Sequence, residues 1–212
     1  MATPVYDSLF LPIAEKALGN AFDVLYRKAK LTDDEVIAGL RSTKIAQGFN
    51  QGNPYVIAGN SGNELAREIL ESLGKGDSFK RRNGNEPLNE YFWAGYVFAF
   101  FLWKSGHRME SSLRRLGIDT LIALYHPYHE TAIEAVYEKL EELLTKSKKP
   151  CALKYLRTAA HYSQSDLARA SGVPLRSIQE YEQGRKNLGS AQISTVLAIA
   201  KVLWVDVEDL LD

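Results

Sequence analysis

Thirteen consecutive residues, Tyr91 to Trp103 (YFWAGYVFAFFLW), carry no charge and are bracketed by Glu90 and Lys104. A bilayer needs about 20 such residues, so the segment is too short to span one and must be hidden inside protein. Rings fall on every side of a helix drawn through 89–104, which leaves no face to turn toward water. The segment is therefore expected to be the central helix of an N-terminal domain, or half of a dimer core. With 212 residues, 45% of them hydrophobic, the chain has apolar material for one large core or two modest ones.

The rest reads as helices around that segment. Ala14, Leu18, Ala21, Phe22 and Leu25 recur at helical spacing over 9–28, with Pro12 near the start. Thr32 with Glu35, and Ser61 with Glu64, have the form of capping boxes ahead of apolar periodic runs. Between them, 48–60 is rich in Gly, Asn and Pro and predicts turns, with one short extended piece at Tyr55–Ile57. It is not a phosphate loop, since no Lys-Ser or Lys-Thr follows its last Gly. The stretch 74–87 predicts a solvated loop, in which Lys80-Arg81-Arg82 reads as a surface charge run available for auxiliary phosphate contact. Gly117 should break a helix, and 131–146 should form a long one with Val136, Leu140 and Leu144 inward. The basic tail to Pro150 then marks a boundary. Two domains follow, 1–147 and 151–212, in an all-α chain.

Composition removes several classes of function. Lys plus Arg and Asp plus Glu are both 26, so any nucleic-acid binding must be local. The lone Cys151 excludes an internal disulfide and a four-cysteine zinc site, and a reducing cytosol fits it. No basic segment leads into an apolar one at the N-terminus, so a cytoplasmic protein without a signal peptide is expected. His126, His129 and Glu130 lack a third ligand at a familiar spacing and read as capping and packing groups rather than a metal site. No Ser-His-Asp, Cys-His or paired-carboxylate set has supporting context, so neither a catalytic residue nor a cofactor is expected.

The last third carries the most specific pattern. Leu153, Leu156 and Ala160 mark one helix, and Ser163 with Asp166 caps a second. Ser171-Gly172-Val173 makes a tight turn into a third helix over about 174–183, with Ile178 and Tyr181 inward. Two further helices follow, over 193–203 and 205–211. Arg176 and Glu180, four residues apart, share the face opposite Ile178 and Tyr181. This arrangement resembles the five-helix DNA-binding domain of the phage lambda and 434 repressors and the Xre-like regulators. The resemblance is carried by Ser163-Gln164, Leu167-Ala168, Ser171-Gly172-Val173, Ile178, Glu182, Gly184-Arg185 and the closing Leu210-Leu211.

It implies that Gln164 stands beside a phosphate and a base edge, and that Leu175, Arg176 and Glu180 face the major groove. There Arg176 can fork onto guanine, Glu180 can accept from a cytosine amine and Leu175 can pack on a thymine methyl. Gln183 and Arg185, with Lys186 beside them, would hold phosphates. Arg157 and Glu182 resemble a scaffold pair that fixes the angle of the reading helix. The sequence departs from the pattern at His161, where the family's tight turn carries Gly. Over 148–212 there are nine Lys or Arg against seven Asp or Glu, so affinity for DNA should come from a homodimer on a palindromic operator.

The stretches 52–66 and 90–96 resemble an N-terminal region found ahead of Xre-like domains in bacterial regulators encoded beside small toxin-like proteins. That resemblance implies an autoregulating antitoxin with a co-encoded toxin as partner. Because most of the aromatic helix must be core, the expected contact surface is the polar rim around Tyr55, Asn60, His126 and Tyr128, with the Lys80-Arg81-Arg82 loop as a mobile arm. The alternative is a ligand-sensing repressor in which the aromatic helix walls a pocket.

Overall fold

The computed structural model describes residues 4–146, 152–205 and 207–211. The expected break at Lys148–Pro150 and Cys151 lie outside these. The chain divides into two compact units, 1–148 and 149–212, and no strand occurs among the described residues.

In the first unit, α1 (Leu11–Phe22) runs on into a wider π-helical stretch, Asp23–Lys28. Helices α2 (Asp33–Ser42), α3 (Ile45–Asn50), α4 (Pro54–Ile57) and α5 (Gly62–Ser72) follow. After a loop come α6 (Glu90–Ser105), α7 (Met109–Ala123), α8 (Tyr125–Tyr128) and α9 (Ile133–Lys146). Both capping boxes form: Thr32 Oγ1 accepts from Glu35 N while Glu35 Oε2 accepts from Thr32 N at 2.8 Å, and Ser61 and Glu64 repeat this. Gly117, with φ 71° and ψ 156°, interrupts α7 as expected.

The aromatic helix α6 is the centre of this unit. It packs on α1, α7 and α9, with Phe98 and Phe101 completely buried. Its tightest neighbour is α1, and glycine on both helices makes the approach possible. A Cβ on Gly95 would lie 2.3 Å from the Leu18 carbonyl oxygen, and one on Gly19 would lie 2.9 Å from the Phe92 ring and carbonyl. Phe22 of α1 then meets Phe98 at 5.8 Å between ring centroids.

Two expectations are corrected. Tyr55–Ile57 is not extended but lies in the one-turn helix α4, with Pro54 in its first turn and the Asn53 side chain accepting from Tyr55 N. Proline's fixed φ and an Asn cap favour a helical turn over a strand there. The Lys80-Arg81-Arg82 run is solvated only in part: Lys80 and Arg81 are exposed, but Arg82 is buried. Its guanidinium donates to Asn20 Oδ1 at 3.0 Å, to the Glu86 and Pro87 carbonyls at 3.1 Å, and to the Asp23 carboxylate at 3.3 Å. Asn63 clasps the Arg82 backbone from α5 through both its amide nitrogen and its oxygen. Asp23 is wholly buried, within a run of buried residues from Ala21 to Tyr26 that crosses from α1 into the π-helical turn. Burial pushes its carboxyl up, but hydrogen bonds from Arg27 and Asn89 and the charges of Arg27 and Arg82 outweigh this and hold it below the usual carboxylate range.

The second unit contains α10 (Ala152–Ala159), α11 (Gln164–Ser171), α12 (Leu175–Glu182), α13 (Ile193–Leu203) and α14 (Val207–Leu211). Leu153, Leu156, Leu167, Ile178, Ile199 and Leu203 close its core. His161 adopts φ 58°, the left-handed geometry expected from the missing Gly. Trp204 does the same at the end of α13, with φ 54° and its residue surface 94% exposed.

Among the described residues, no helix is long and apolar enough to cross a membrane.

Candidate nucleic-acid interface

Local chemistry builds a rigid support for one exposed helix. The Ser163 hydroxyl caps α11 at Asp166 N, 3.0 Å, and Asp166 answers at Ser163 N, 3.3 Å. Gly172 at φ 70° turns the chain into α12, whose N-cap is Pro174. The inner face of α12 is anchored by buried Ile178 and by the Arg157–Glu182 pair. Arg157 Nε lies 2.6 Å from Glu182 Oε1 and its Nη2 lies 3.1 Å from Oε2, with side chains only 10% and 3% exposed. This bidentate bond ties the first helix of the unit to the end of α12 and sets its tilt.

The outer face of α12 presents the candidate residues. Arg176 has 88% of its side chain in solvent, and its Nε lies 3.2 Å from Glu180 Oε1 one turn on. After Gln183 and Gly184 the chain folds back, with the Arg185 and Lys186 amides donating to the Glu180 carbonyl at 2.9 and 3.2 Å. That return brings Lys186 Nζ to 2.6 Å from Glu180 Oε2. Glu180 is thus held between two cations; the hydrogen bond from Lys186, then that from Arg176, keep its carboxyl below the usual range. Standing so, Glu180 orients Arg176 and Lys186.

Arg176, Glu180, Gln183 and Arg185 converge on one hollow, and Gln179 joins them. Gln179 was not among the residues singled out from the sequence, although its i,i+3 spacing from Arg176 could have marked it. Leu175 is exposed at the first turn of α12, outside this hollow. Gln164 is placed differently again: its Nε2 donates to Glu182 Oε2 at 2.7 Å, so it braces the scaffold pair from the start of α11.

Residues 153–210 match the helix-turn-helix family model. The match covers α10 to α14 and supports a DNA-binding transcription regulator. No curated protein and no solved structure gives a match to the chain. Within the matched residues the turn at Gly172 joins α11 to α12, and the outer face of α12 carries Arg176.

Proposed function

We propose that this chain is a sequence-specific transcriptional regulator that reads operator DNA with α12. The observation that carries the reading is the Arg176 guanidinium, exposed on the outer face of a helix whose inner face is locked by Arg157 and Glu182. In the major groove Arg176 leaves Glu180 or keeps one bond to it while forking onto guanine O6 and N7. Gln179 offers an amide of the kind that pairs with adenine. Gln183, Arg185 and Lys186 lie beyond the helix, where they hold phosphates and set register without reading sequence. Gln164 keeps one amide hydrogen for Glu182 and has a second for a phosphate. Leu175, exposed at the first turn, suits a thymine methyl. The unit 149–212 is then the DNA-binding domain, acting as a homodimer on a palindromic site.

For the unit 1–148 the proposed role is partner binding, with a co-encoded toxin as the partner and autoregulation of the shared promoter as the outcome. Its support is the sequence resemblance together with Tyr55, 84% exposed and an aromatic of the type that anchors interfaces.

The test begins with selection of binding sites from random duplexes by the full chain. Arg176→Ala should lose about 1–3 kcal/mol on the selected site and far less on random DNA. Equal losses on both would reduce Arg176 to a phosphate contact. Calorimetric titration with the neighbouring gene product tests the partner, and no heat at about tens of micromolar would remove the antitoxin role.

A further inference from the structure

The first unit contains a hollow of about 460 Å³, open on one side, between α6 and the segment running from α8 into α9. Its size falls in the range of about 300–1,000 Å³ that holds whole small molecules. Trp93 and Tyr96 of α6, Tyr125 and Tyr128 of α8 and Val136 of α9 are among the residues that line it. The rings are already arranged for aromatic contact: Trp93 meets Tyr125 edge-on at 5.7 Å, and Tyr125 stacks on His129 at 4.7 Å. A flat ring entering here would continue that packing.

Trp93, Tyr96, Tyr125, Tyr128, His129 and Thr131 bring polar atoms to the lining, and two of these are already engaged. The Thr131 hydroxyl donates to the Tyr128 carbonyl at 2.8 Å, and the Tyr96 hydroxyl is bonded to Glu15. His129 differs. Its Nδ1 lies 3.0 Å from the Tyr125 carbonyl and 3.2 Å from that of His126. Carbonyls only accept, so Nδ1 carries the hydrogen and Nε2 of the neutral ring is an acceptor. The Glu130 carboxylate, at 3.7 Å from Nε2 to Oε1, is beyond hydrogen-bond reach yet near enough to repel an anion.

We propose that this hollow binds a small, uncharged, flat aromatic molecule carrying one N–H or O–H donor, which His129 Nε2 receives. The site is independent of the DNA reading, since every residue in it belongs to the first unit. The occupant is a small molecule rather than a partner's side chain, because the walls carry rings from α6 and α8 and the space suits an entire ligand.

The test uses the full chain at pH 8 with three probes: indole, 1-methylindole, which lacks the donor, and indole-3-acetate, which is an anion. Saturation-transfer NMR and calorimetry should show one indole per chain with a submillimolar Kd, and both other probes about five-fold weaker or worse. His129→Phe should bring indole to the level of 1-methylindole while circular dichroism and Tm stay unchanged. Thr131→Trp, at the exposed rim, should abolish binding by filling the space, and Leu88→Trp at the mouth repeats the test with a different backbone position. The proposal is overturned if the three probes bind equally, if the two filling variants fold and bind indole as before, or if indole at about 5 mM gives no saturation transfer. The last result would leave the hollow to a protein partner.

Discussion

Arg82 and Asp23 illustrate how a residue's surroundings reverse its sequence reading. A run of three cations in a Gly- and Asn-rich loop ordinarily lies in water, yet the third enters the protein because a buried carboxylate awaits it. Removing one partner of such a pair leaves a charge without solvent or counter-charge. Arg82→Gln should therefore cost about 3 kcal/mol in urea denaturation, tempered because Arg27 stays beside Asp23. The pH dependence follows from the direction of the Asp23 shift. Its folded carboxyl titrates below the unfolded one, so its contribution is complete above the ordinary carboxylate range and is lost as the pH falls toward the folded value. Asp23→Asn should be much less stable than the wild type at pH 7, and the gap should narrow on acidification below about pH 5. A constant gap down to pH 3 would show that folding does not lower the Asp23 carboxyl.

Single contacts decide how the helical elements approach one another. The α1–α6 pair depends on Gly95, whose missing Cβ leaves room for the Leu18 carbonyl. Backbone cannot move aside as a side chain can. Gly95→Ala should therefore destabilise the first unit by about 1–3 kcal/mol, despite the better helix propensity of Ala. A rise in Tm for that variant would show that the two helices are not so closely packed. Between α10 and α11 the sign is opposite. His161 holds a left-handed conformation that Gly adopts at little cost. His161→Gly should stabilise the helix-turn-helix unit by about 1 kcal/mol, read as a later unfolding transition, with Ser163→Ala losing about as much through its cap.

For the molecule as a whole, balanced charge limits how it can hold DNA. With 26 cations against 26 anions, no long-range field draws it to phosphate, and Arg185 and Lys186 supply the local charge. Two copies on a palindrome would neutralise about four phosphates, giving a slope of log affinity against log salt near −4. Sedimentation should show a dimer on the operator, with recognition helices roughly 34 Å apart for successive major grooves. A monomer bound at full affinity, or a slope near −10, would contradict this arrangement.

What the sequence determined by itself was local. The three capping boxes, the left-handed turns at His161 and Gly172, and the break at Gly117 follow from side chains reaching backbone groups a few residues away. The apolar periodicity of 151–211 likewise specified five helices and which face of the third meets the core. Even the aromatic segment could take only one kind of place, since thirteen uncharged residues cannot face water. Tertiary structure decided the rest. Whether that segment served one unit or a dimer turned on Gly19 and Gly95 meeting across two helices distant in sequence. The run at Lys80-Arg81-Arg82 gives no local sign that its third cation is buried against Asp23, fifty-nine residues earlier. Glu180 became the acceptor for two cations because the chain after α12 folds back over it, and Gln164 found Glu182 eighteen residues away. These are long-range polar pairings, and their partners are fixed only when packing excludes the water that would otherwise satisfy each group.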